Sequence, residues 1–187
     1  MALTSVRLAK AGWLAVANAI VTVPLFLFSF MLALDDSHGA RAVQTILTLI
    51  STLLFIYIML TLLDYLNSSH QFHDVDMLVK LLLWMNIAVT VLSMLGLLSQ
   101  PLREAGGLFA IILIVPSGVT QAVFGYRLLR LPGLTGTRFK PYGVLNVITG
   151  VCFALVVPIP IGLLTSVAAD VILGKVLLEA AEKQPLS

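Results

Sequence analysis

The sequence predicts an all-α fold, a bundle of helices that crosses a lipid bilayer several times. Three observations lead there. Of 187 residues, 59% are hydrophobic and only 11% are charged, where an ordinary soluble domain carries about 25% charged residues. A chain this short cannot hide so much apolar surface in a water-facing core, so lipid must solvate much of it. The apolar residues gather in segments near the ~20 that a helix needs to cross the hydrocarbon layer, and short polar connections force neighbouring segments to run antiparallel.

The first span is read at 12–34. Arg7 and Lys10 precede it in the manner of a signal peptide. However, the run is longer than an h-region of roughly 7–15 residues and no A-x-A-like site follows, so it is expected to be retained. Spans 42–66, 77–99 and 107–129 follow. Asp35, Asp36 and His38 mark a small acidic connection after the first span, and Pro101, Gly106 and Gly107 punctuate the approach to the fourth.

Between the second and third spans lies the densest polar run, Asp64 to Asp76, with His70 and His73 inside it. Asp74 and Asp76 suit the start of the third span, where acids meet free N–H groups and the positive end of the helix dipole. Asp64 is expected to pair with Lys80 across the connection.

After the fourth span, Arg127, Arg130, Arg138 and Lys140 form a basic stretch without an acid, and Pro141 opens the next helix. Phe139 and Tyr142 are assigned to the headgroup level. The remainder, Tyr142 to Glu179, would form a helix of roughly 55 Å, far longer than a hydrocarbon core of about 30 Å. Pro158 and Pro160 interrupt it. The chain therefore makes spans 141–157 and 161–180, or five spans plus an interfacial helix. The positive-inside rule selects six. Six spans place nine basic residues on one side and two, Arg41 and Arg103, on the other; five spans give seven against four. A bacterial cytoplasmic membrane with both termini on the cytoplasmic side is the expected location.

In lipid, packing relies on small residues and a few polar contacts. Five of the spans supply a stripe of these: Ala11, Ala15, Asn18, Ala19 and Thr22 in the first; Thr45, Thr48 and Thr52 in the second; Asn86, Thr90 and Ser93 in the third; Gly118, Gln121 and Gly125 in the fourth; Asn146, Gly150 and Ala154 in the fifth. Pro24 and Pro116 are expected to bend spans one and four. Cys152, the single cysteine, falls in an apolar segment and reads as a small hydrophobe.

Asp170 is the sharpest candidate site. It falls near the middle of the sixth span, where insertion scales assign an Asp a cost of roughly 3 kcal/mol and an ionisable group is a functional hypothesis by default. Asn86, Asn146 and Gln121 are its expected partners, with Asn18 a further intramembrane polar candidate. A weaker candidate is a metal site at His70, His73 and Asp74, which share one face if that segment is helical. Arg127, Arg130, Arg138 and Lys140 are candidates for lipid headgroup or partner contact. No Ser/His/Asp set, HExxH, phosphate loop or Rossmann glycine pattern is present, and no cofactor is called for. A net charge of +2 gives no reason to expect nucleic acid.

The expected function is therefore that of a small non-catalytic membrane protein acting by helix association, with itself or as an accessory subunit. A small transporter or channel using Asp170 and the Asn/Gln positions is the alternative, and metal binding at His70 and His73 the second.

Overall fold

A computed structural model describes residues 4–33, 38–96, 99–131, 139–156 and 159–183. These residues form six α-helices and no strand: α1 Ser5–Ala33, α2 His38–His70, α3 Asp76–Leu95, α4 Gln100–Leu128, α5 Phe139–Leu155 and α6 Ile159–Lys183. Five of them are long and apolar enough to cross a membrane; α5, at 17 residues, is shorter and sits at the low end of the ~17–25 residues of a spanning helix.

Local chemistry explains where the helices start and stop. The Thr4 hydroxyl accepts from the Arg7 backbone N–H at 3.3 Å and caps α1. Gln71, at φ 49°, turns the chain out of α2. Asp76 lies in the first turn of α3, where its charge favours the positive end of the dipole. Ser99 is extended and Pro101 opens α4, needing no donor there. The helices outrun the apolar segments by several residues, most at the start of α1, α2 and α4. Hydropathy marks the stretch immersed in hydrocarbon, whereas backbone hydrogen bonding continues into the polar layer. His38 and His70 thus begin and end α2 instead of lying in connections.

The helices form a closed antiparallel ring, each packed on its chain neighbours, with α6 returning to α1. Two seams bring backbones together. A Cβ on Gly118 would lie 2.6 Å from the Gly150 carbonyl oxygen, and one on Gly125 would lie 2.6 Å from that of Gly143, so α4 and α5 touch along their lengths. On the far side, a Cβ on Gly12 would meet the Gly174 carbonyl at 2.9 Å, joining α1 to α6. Such contact is how small residues hold helices in lipid. It also places α6 inside the bundle, against its lying as an interfacial helix.

Because α1 and α6 are antiparallel, Ser5 and Lys183 lie at the same end of the ring. The core gathers toward that end: Leu8, Leu62, Leu66, Val75, Val79, Phe124, Leu128, Leu173 and Leu177 are fully buried there. Phe139 and Tyr142 belong to this core, at 2% and 3% exposure, so their side chains face the bundle interior. Phe139 stacks on Tyr65 with ring centroids 6.0 Å apart, and Tyr142 meets Phe124 edge to face at 6.3 Å. Cys152 is buried, as a small hydrophobe should be. The outward faces carry exposed Trp13, Ile20, Ile46, Leu53, Trp84, Ile112 and Leu164, the surface that lipid requires.

Candidate functional site

Beyond the packed end, toward the 96–100 end of the ring, the centre is not filled. A cavity of about 540 Å³ lies there, and all six helices line it. Each of the five intramembrane polar residues singled out from the sequence faces it: Asn18 from α1, Asn86 from α3, Gln121 from α4, Asn146 from α5 and Asp170 from α6.

Three polar bridges tie alternate helix pairs around this space. Asn18 Nδ2 donates to Asp170 Oδ2 at 2.8 Å, linking α1 to α6. The Thr52 hydroxyl donates to Asn86 Oδ1 at 2.9 Å and meets the Thr90 hydroxyl at 2.6 Å, linking α2 to α3. Gln121 Nε2 donates to Asn146 Oδ1 at 3.3 Å, linking α4 to α5, while Asn146 Nδ2 donates to the Tyr142 carbonyl one turn back at 3.0 Å. A further contact joins the Thr149 and Thr165 hydroxyls at 2.7 Å between α5 and α6.

The partner of Asp170 is Asn18, not Asn86, Asn146 or Gln121. Those three expected partners sit on other helix pairs and are engaged there. Thr22 of the first stripe and Tyr142 also line it, and residues that sequence reasoning passed over complete the walls: Phe55, Met59, Met85, Phe124 and Phe153 give the cavity an aromatic and thioether surface, with Ser117 and Ser166 among them. For Phe124, Ser117 and Ser166 the signal in the sequence is helical spacing of three or four from Gln121 or Asp170. Among the described residues, no Lys, Arg or His lines the cavity, and Asp170 is its sole acid. The site therefore offers one carboxylate, several amides and hydroxyls, and a large apolar wall.

The histidine stretch is not drawn together. His70 packs against Phe139 and Tyr65, with ring centroids 6.0 Å and 5.4 Å away. His73 Nδ1 lies 3.4 Å from Asp76 Oδ2, and Asp74 is exposed. Helix α2 stops at His70, so His73 and Asp74 do not continue its face. Among the described residues, no group of three or more His, Cys, Asp or Glu side chains could hold a metal. Asp64 pairs with Arg7 of α1 at 2.7 Å, not with Lys80.

The basic residues divide by role. Arg127 Nη1 donates to the Asp74 carbonyl at 2.6 Å, pinning the α2–α3 turn to the end of α4. The Arg130 guanidinium lies 4.6 Å over the Tyr126 ring and donates to its hydroxyl. Lys140 is exposed, and Arg138 lies outside the described residues. No protein family, curated protein or solved structure matches the chain.

Proposed function

We propose that this membrane protein binds a small solute in the central cavity and moves it across the bilayer, as a transporter or channel. One observation carries this reading: polar residues from five helices converge on a common cavity containing an ionisable group. Polar stripes serving packing alone would leave the centre of the ring filled. A volume of about 540 Å³ falls within the ~300–1,000 Å³ of small-molecule sites, which likewise combine apolar walls with a few placed polar groups. The transport alternative thus gains over simple association.

The orientation belongs to the same proposal. Arg7, Lys10, Lys80, Arg127, Arg130, Lys140, Lys175 and Lys183 lie toward the end holding both termini, while Arg41 and Arg103 lie toward the other. This distribution supports a cytoplasmic assignment for the terminal end.

The test is reconstitution in proteoliposomes on a solid-supported membrane, recording currents on concentration steps of small organic cations and anions. Protein-dependent current that Asp170→Asn diminishes is the expected result; silence toward every solute would overturn transport. Association remains a second reading, favoured by an apolar groove on the outer face between α1 and α2, lined by Trp13, Leu14, Ile50, Leu53 and Tyr57. A defined oligomer lost on Leu53→Glu, without current, would favour it.

A further inference from the structure

We propose that the ligand of the cavity is an organic monocation with an apolar body, its charge set against the Asp170 carboxylate. This rests on the solute-binding reading and names the chemical class of the solute.

The charge inventory comes first. Among the described residues, the lining holds one carboxylic acid and no base. The ionised form of a carboxyl within a bundle is favoured by a charge partner, and Asn18 supplies an N–H donor but no charge. None of the described basic residues lines the cavity, and Lys175, the one nearest Asp170 along α6, is exposed. An anionic ligand would meet an acid and find no base among the described lining residues, while a neutral one would leave the acid to sit protonated, its charge unused. A cation answers both difficulties.

Geometry then excludes a bare metal ion. A small metal ion requires oxygen ligands closing on one point. Here the amide oxygens are divided: Asn86 Oδ1 accepts from Thr52 and Asn146 Oδ1 accepts from Gln121, on separate helix seams. The space is also far larger than one dehydrated ion. What surrounds it is Phe55, Phe124, Phe153, Tyr142, Met59 and Met85, apolar surface suited to a hydrocarbon body, and aromatic faces attract cations.

The experiment uses the full chain in nanodiscs and three probes of nearly one shape. Tetraphenylphosphonium carries a positive charge, tetraphenylborate a negative charge, and triphenylphosphine oxide none. Binding is measured by equilibrium dialysis with empty nanodiscs subtracted. Saturable binding of tetraphenylphosphonium is expected, weakened at least about tenfold by Asp170→Asn and unaffected by Asp76→Asn, whose carboxylate lies outside the cavity. A second measurement leaves the acid intact. In a Cys152→Ala background, Ser166→Cys should be protected from a water-soluble thiol reagent by the phosphonium and not by the borate. Equal binding or protection by the neutral or anionic probe overturns the ligand class while the cavity reading stands. Saturable binding of none, with a thiol at 166 that reacts regardless of probe, overturns both.

Discussion

Asn18 and Asp170 lie 152 positions apart in the chain and meet through a 2.8 Å hydrogen bond between α1 and α6. The contact closes the helical ring, and it does so on the wall of the cavity. Replacing Asp170 by Asn keeps an oxygen that accepts the Asn18 N–H while removing the charge. Folding should change little, since interhelical hydrogen bonds average ~0.6 kcal/mol. We expect the detergent-solubilised variant to melt within a few degrees of the parent by fluorescence-detected size exclusion.

The backbone seam between α4 and α5 should be far less tolerant. Gly150→Val places a branched side chain against Gly118 and Ala122 of α4, and overpacking of this kind costs about 1–3 kcal/mol or more. Gly107→Ala is the control, because nothing lies within 4 Å of a Cβ there. It should gain about 0.5–1 kcal/mol from helix propensity. A thermal melt ranking the two variants the other way would contradict the seam.

Thr52 and Thr90 should act as a unit. Both are buried, and their hydroxyls lie 2.6 Å apart. A double-mutant cycle with Thr52→Val and Thr90→Val should yield a coupling of ~0.6 kcal/mol, with ~1.7 as the upper range. Additive losses in reversible detergent unfolding would mean the contact contributes nothing.

Arg7 and Asp64 form a partly exposed ion pair, expected to contribute about 0.2–1 kcal/mol and to weaken with salt. Arg7→Asp and Asp64→Arg should each lower the melting temperature slightly, and the two together should restore it. Failure of the charge swap to recover stability would assign the loss to packing of the arginine stem.

The antiparallel closure of α1 on α6 sets the last expectation. In a Cys152→Ala background, Lys10→Cys and Lys183→Cys should react with an impermeant thiol reagent from the same side of the membrane, and Arg41→Cys from the other. Lys183 reacting together with Arg41 would break the ring.

Much of this fold is legible in the sequence, because a bilayer imposes length and polarity on each helix separately. Six apolar segments, the breaks at Pro101 and Pro160, and the inward Asn, Gln and Asp residues all follow from local pattern. What pattern misses is pairing. Asp170 could be placed within a span, yet Asn18 as its partner depends on α6 closing against α1, a relation between the two ends of the chain. Sequence nearness matches Asp64 to Lys80, whereas the fold brings Arg7 of α1 to it. The basic stretch before Tyr142 points to the interface but says nothing of its packing on Phe124 inside the ring. The metal reading required helical continuity past His70, and Gln71 turns the chain there.

The uneven filling of the ring bears on voltage. Between Ser5 and Asn18 lies roughly 20 Å of helix at 1.5 Å per residue, surrounded by the dry, closely packed half of the bundle. An electric field falls across insulating material. A cation moved from Asp170 to the Ser5 end would cross that packed half, with a full transit of the membrane worth about 2.3 kcal/mol per charge for each 100 mV. The step past Phe124 and Tyr142 is therefore one at which an applied potential would act.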